Sequence, residues 1–165
     1  MRRVLIFLPI VLISCSSKPE SSTDSSEKTT VSSSTSNSSP DYQAFLEKAA
    51  AEPGAIKTAS GLVYRVITAG SGASPKATDT VKVNYRGTLI NGKEFDSSYA
   101  RNEPAEFPLN MVIPCWTEGV QMMKAGGKSQ LVCPASIAYG DRGAPPDIPG
   151  GATLVFEIEL LGITK

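Results

Sequence analysis

The chain has no histidine among its 165 residues. That absence removes the usual general base near neutral pH, the commonest metal ligand and every Ser-His or Cys-His nucleophile. Ordinary hydrolase and zinc-site readings fall with it, and neither a metal nor a cofactor is expected. Net charge is missing too. Sixteen basic and sixteen acidic residues cancel, so no global field draws the protein to nucleic acid or holds it on anionic lipid. Binding to nucleic acid is therefore not expected. Cysteine is scarce, and Cys115 and Cys133 are not in a C-x-x-C arrangement, which argues against a thiol oxidoreductase. Tryptophan occurs once, at position 116, directly after a cysteine. The apolar run Val4 to Ile13 is too short to span a bilayer as a stable anchor.

That run serves another purpose. "MRRVLIFLPIVLISC" places two arginines before it, the layout of a secretory signal, and residues 1–14 are read as a signal peptide. The run ends in Leu12-Ile13-Ser14-Cys15, which resembles the bacterial lipobox, where a small residue precedes a cysteine that receives lipid and becomes the mature N-terminus. The resemblance implies acyl chains on Cys15, each contributing about 0.8 kcal/mol of membrane affinity per buried CH₂. A plain signal peptide with an incidental cysteine is the alternative. Ser16 rather than aspartate follows Cys15, so a lipid-anchored protein is expected at an outer membrane, facing the periplasm or the cell surface.

Residues 15–40 are mostly serine and threonine, with only Val31 clearly apolar beyond Cys15. Such a segment cannot bury a core. As a flexible coil it has a span of roughly 25–30 Å; a glycosylated stalk is the other reading. Residues 41–60 form a lead-in, in which "DYQAFLEKAAAEPG" predicts a short helix with Tyr42, Phe45, Leu46 and Ala49 on one side and Pro53-Gly54 as its stop.

From Gly61 to Lys165 the pattern is that of one domain. Val81, Val83 and Tyr85 alternate with Lys82, Asn84 and Arg86, and Asn91-Gly92 predicts a type I′ hairpin leading into "KEFDSSY". "CWTEGVQMM" spaces Trp116, Val120 and Met123 as on one helical face, after Pro114 and before Gly126-Gly127. "KSQLVC" and "ATLVFEIELLGI" return as strands. The expected class is α+β, an antiparallel sheet crossed by one short helix.

Tyr85, Phe95, Phe107, Trp116, Tyr139 and Phe156 read most simply as core filling. Two features favour an apolar ligand pocket instead. Asp96 directly follows Phe95 just beyond a hairpin, and Tyr139 lies in the Gly/Pro-rich loop "YGDRGAPPDIPGGA".

"VNYRGTLINGKEFDSSY", "VIPCWTEGVQMM", "IAYGDRG" and "ATLVFEIELL" resemble, in order and over essentially all of residues 61–165, the FKBP-type peptidyl-prolyl isomerases, most closely the periplasmic branch that includes the macrophage infectivity potentiator proteins. The resemblance implies a sheet wrapped around a short helix and a proline pocket with Trp116 as floor and Tyr85, Phe95, Phe107 and Phe156 as walls. It implies that the Ile113 N–H and the Tyr139 hydroxyl bind substrate carbonyls, with Val112 beside Ile113 at the rim. Asp96 matches the pocket carboxylate, held by Tyr85 and Arg101. Asp147 stands where an apolar residue is common, so peptide preference is open.

The activity so implied is isomerisation of X-Pro bonds in exported polypeptides, with inhibition by the family's macrolides; the other reading is a peptide-binding module or chaperone without useful catalysis. A monomer is expected, since dimers in this branch form through a long helical N-terminal domain. Cys115 and Cys133 are read either as a disulfide fixing the helix of Trp116 or as two buried thiols. Most family members have glycine or alanine at the first position, so resemblance does not supply the bond.

Overall fold

The alternation along the strand of Tyr85 sets the architecture. The computed structural model describes residues 39–164; the expectations for the signal peptide, Cys15 and nearly all of the linker lie outside them. In it Val81, Val83 and Tyr85 are buried, while Lys82, Asn84 and Arg86 occupy the opposite face of the same strand. A period of two puts each set on its own side of a pleated sheet.

The order of elements is α1 (Pro40–Ala50), β1 (Ala55–Lys57), β2 (Val63–Thr68), β3 (Thr80–Leu89), β4 (Glu94–Ser97), α2 (Ser98–Arg101), β5 (Ala105–Pro108), α3 (Pro114–Gln121), β6 (Lys128–Cys133) and β7 (Leu154–Thr164). All strand pairs are antiparallel, in the order β1-β2-β6-β7-β3-β4, and β5 pairs with β3 beyond the end of β4. β4 lies against Arg86 to Thr88 and β5 against Thr80 to Val83, so two short strands share one edge of β3. The fold is the expected α+β arrangement of an antiparallel sheet and a short helix.

Leu131, Leu154, Phe156, Ile158 and Leu160 carry the buried face across β6 and β7. α3 closes it with Trp116 and Val120, and Met123 just beyond the helix adds to the same cluster. Each large apolar side chain buried in this way contributes about 1.5–3 kcal/mol. The outer face carries charge in register: Arg86 meets Glu157 across β3 and β7 and pairs with Glu94 at 2.6 Å, and Lys128 reaches Glu157 at 3.2 Å. Exposed pairs of this kind contribute about 0–1 kcal/mol each, so they set the register and solubility of the face more than its stability.

Two local expectations are corrected. The sheet begins at Ala55, inside the lead-in, because β1 pairs with β2 through Ile56 opposite Tyr64. α1 packs on the sheet through the side that the sequence marks as apolar. Leu46 and Ala49 bury against Val63 and Val132 on the outer face of the sheet, with Phe45 and Val155 packed around them, and Pro40 starts it where a missing N–H costs nothing. The hairpin at Asn91-Gly92 is not type I′. Gly92 has φ +83 but Asn91 is not among the positive-φ residues, and the Gly92 N–H donates to Leu89 O at 2.9 Å. That is a turn with one left-handed residue at its end, followed by a register shift at Gly87/Thr88, the three-residue solution rather than the two-residue one. Among the described residues no helix is long and apolar enough to cross a membrane.

Candidate active site

Strand direction and the short helix bring distant aromatics together. Tyr85 points inward from β3, Phe107 from β5 and Phe156 from β7, and all three meet the edge or face of the Trp116 ring that α3 supplies. The ring centroids lie 5.2, 5.6 and 5.4 Å from Trp116, with interplanar angles of 82, 89 and 89°. Edge-to-face pairs add about 0.5–1.5 kcal/mol beyond burial, so the rings hold one another upright around a cavity. Phe95 extends the wall by packing on Phe156 at 5.7 Å. The cavity has a volume of about 340 Å³ and is lined by these five rings together with Asp96, Met111, Val112, Ile113 and Tyr139.

A polar clamp closes one side. Tyr85 Oη donates to Asp96 Oδ2 at 2.5 Å, Arg101 Nη1 donates to Asp96 Oδ1 at 2.7 Å, and Arg101 Nη2 donates to Tyr85 Oη at 2.8 Å. Arg101 ends α2, and Asn102 in the left-handed region stops the helix there. Burial works to raise the Asp96 carboxyl, but the hydrogen bonds from Tyr85 and Arg101 and the guanidinium charge outweigh it, so the group titrates below its usual 3.8. Asp96 is therefore an anion at neutral pH. Burial and then the negative charge of Asp96 push the Tyr139 phenol above its usual 10.0, which keeps that hydroxyl a donor. Tyr139 is half-exposed, and its hydroxyl forms no hydrogen bond among the described residues.

Two further donors are free. The Trp116 Nε1–H is buried and donates to no described group, and the Ile113 N–H, just before the first turn of α3, forms no hydrogen bond among the described residues. A buried donor without a partner costs free energy that a bound acceptor recovers.

The structure thus brings every sequence-predicted pocket residue to one place: Tyr85, Phe95, Asp96, Phe107, Val112, Ile113, Trp116, Tyr139 and Phe156 line the cavity, and Arg101 braces it from behind. Cys115 and Cys133, both fully buried, are joined by a disulfide with Cα atoms 5.9 Å apart. Two residues escaped the sequence reading. Met111 is 79% exposed at the mouth of the cavity; its only sequence signal is an apolar side chain in a turn directly before Val112. Ser98 is fully buried, and its Oγ accepts the Tyr85 N–H at 2.9 Å, replacing the strand partner that β4 no longer provides. A serine two positions after Asp96 gives no hint of that.

A family model described as FKBP-type peptidyl-prolyl cis-trans isomerase matches residues 72–161. The chain belongs to that family. FKBP-type isomerase FkpA of Escherichia coli is 55% identical over 119 residues, covering 72% of this chain and 44% of that protein. The FKBP-type 22 kDa isomerase of the same organism is 54% identical, covering 72% of this chain and 58% of its own length. Among solved structures, the crystal structure of Escherichia coli FkpA superposes with TM-score 0.73 at 52% identity, covering 75% of this chain and 58% of that one. A peptidyl-prolyl isomerase from Pseudomonas syringae gives 0.71 at 38%, covering 76% and 92%. The chain spans about half the length of the FkpA-like relatives it matches, and the residues matched by the family model include every residue that lines the aromatic cavity.

One glycine behind the rings of this cavity is required by space. A Cβ on Gly87 would stand 2.6 Å from Phe95 Cζ and 3.0 Å from Phe156 Cε1. Gly87→Ala is expected to push both rings into the cavity and to lower stability by about 1–3 kcal/mol. Urea unfolding followed by Trp116 fluorescence measures it, and an unchanged midpoint would contradict the packing described.

Proposed function

We propose that the chain catalyses cis-trans isomerisation of X-Pro bonds in exported polypeptides. The observation that carries this reading is the aromatic cavity floored by Trp116, with an ionised Asp96 and free donors on Tyr139 and Ile113 around it. The reaction breaks no covalent bond. It must overcome amide resonance, a barrier of about 18–20 kcal/mol, and each 1.36 kcal/mol by which the site prefers the twisted amide gives about tenfold in rate. A twisted amide has lost resonance polarity, so an apolar cavity accepts it better than the planar form. The rings hold the proline, and the Ile113 N–H and the Tyr139 hydroxyl hold carbonyls on either side. Asp96 has no proton to remove; it fixes the orientation of Tyr85 and the field of the pocket.

The test is the relaxation of a Pro-containing peptide with and without the purified chain, repeated with a macrolide inhibitor of the family. Acceleration abolished by the macrolide is expected; relaxation at the uncatalysed rate would overturn the reading.

A pH profile checks the absence of proton transfer. Asp96 titrates below 3.8, and Tyr85 and Tyr139 above 10.0. A depressed carboxylate supports the fold above its unfolded value and loses that support only as pH falls through the folded one, whereas a raised phenol keeps its neutral form until pH rises past 10.0. The rate constant is thus expected to be flat from about pH 5 to 9. A bell-shaped profile in that window would show a titrating catalyst the pocket does not contain.

The same proposal includes export by residues 1–14 and lipid on Cys15, with residues 16–40 as the tether and a monomeric mature protein; the lipobox-like run is its support. Cys15→Ser should move the protein from the membrane to the soluble fraction, and sedimentation should give the monomer mass.

A further inference from the structure

A shallow groove, open to solvent over most of its surface, adjoins the aromatic cavity. It holds about 470 Å³ along the solvent side of α3 and is lined by Asn110, Val112, Pro114, Thr117, Glu118 and Gln121. Val112 lines both, and Ile113, whose N–H is free, is its neighbour. Val112 is thus the rim that a chain leaving the aromatic cavity on this side would cross.

The polar groups of the groove are not equally available. Thr117 Oγ1 donates to Leu109 O at 2.6 Å, and Gln121 Nε2 donates to Thr117 O at 2.5 Å, so both are engaged with the backbone. Glu118 is the one charged lining residue. It accepts a hydrogen bond from Ser60 on Oε2 at 2.6 Å, and no lysine or arginine pairs with it among the described residues.

We propose that this groove takes the polypeptide segment that follows the proline, and that Glu118 selects lysine or arginine within the first few residues of it. The inference rests on the isomerase reading and adds the substrate class. The choice of flank comes from the motion. With the proline ring seated, the residue before it must swing through half a turn relative to the ring, while the chain after the proline stays attached to the held ring. A fixed groove can grip only the second flank throughout turnover.

An exposed carboxylate pairing with one cation is weak and screened by salt, so the expected preference is about two- to fivefold in kcat/KM. It should vanish in 1 M salt, where the Debye length is about 3 Å. The experiment compares ten-residue peptides identical except for lysine or glutamate two and three positions after the proline, and a second pair with the same change before it. Each is assayed with the wild-type chain, Glu118→Gln and Glu118→Lys, alongside a tetrapeptide ending one residue beyond the proline. The expected result is a lysine preference on the downstream flank alone, lost in Glu118→Gln and inverted in Glu118→Lys. Equal rates for the downstream pair, a preference confined to the upstream flank, or one that survives Glu118→Gln would overturn it. No acceleration of the tetrapeptide by the wild-type chain would overturn the isomerase reading itself, a failure distinct from that of the groove.

Discussion

Replacing Cys115 and Cys133 with alanine is expected to lower stability by about 3 kcal/mol, the chain-entropy value for closing a loop of this order. The two residues are 18 apart in sequence and tie the first turn of α3 to the last residue of β6. The bond therefore restrains the unfolded chain and pins the helix that carries Trp116. For a domain of this size the loss corresponds to a fall in melting temperature of about 10–20 °C. Both sulfurs belong to fully buried residues, so a reductant reaches the bond only when the helix lifts. Urea unfolding of the wild type and the double alanine variant, each with and without reductant, measures the effect. Reductant should shift the wild type alone. Two titrating thiols in the unreduced, denatured wild type would remove the basis for the prediction.

The second large effect concerns the ring beside that bond. Trp116→Ala is expected to cost about 3–5 kcal/mol, the usual range for emptying a buried aromatic site, because Trp116 is only 5% exposed and three rings lean on it. Turnover of an X-Pro peptide should fall with it, since Tyr85, Phe107 and Phe156 lose the surface that holds them apart. Trp116→Leu separates the two consequences. It retains more of the buried volume and should lose less stability, yet it removes the flat floor of the cavity and should still reduce kcat/KM by about tenfold or more, equivalent to 1.4 kcal/mol of transition-state binding. A folded Trp116→Leu protein with undiminished turnover would show that the rate does not depend on the floor.

Long, regular elements were legible because their chemistry repeats. The alternation along Val81 to Arg86 and along Leu154 to Leu161, and the spacing of Trp116, Val120 and Met123, each sample a period more than once. β1 covers three residues and β5 ends in Pro108, so neither completes enough of a period to be read. The Asn91-Gly92 pair signals a turn, but the choice between two and three residues depends on how β4 meets β3 at Gly87, a tertiary matter. The site was legible to the extent that its motifs resemble a family; periodicity alone leaves the same aromatics as core. The clamp of Tyr85, Asp96 and Arg101 could not be derived from spacing, since it needs α2 to end where it does. Ser98 bonds to Tyr85 and Glu118 to Ser60, partners apart in sequence that no local pattern encodes.

The packing of α1 on the outer face of the sheet has a mechanical consequence. Tension applied to the chain ahead of Pro40 reaches the domain through α1, and its first resistance is the contact of Leu46 and Ala49 with Val63 and Val132. Next in line is β1, held to β2 by three residue pairs at the margin of the sheet. β3, β7 and α3, which carry the cavity, come later in the path of the force. A pull at that end would therefore peel the margin in sequence, and α1 with β1 would act as a fuse that yields before the cavity is disturbed.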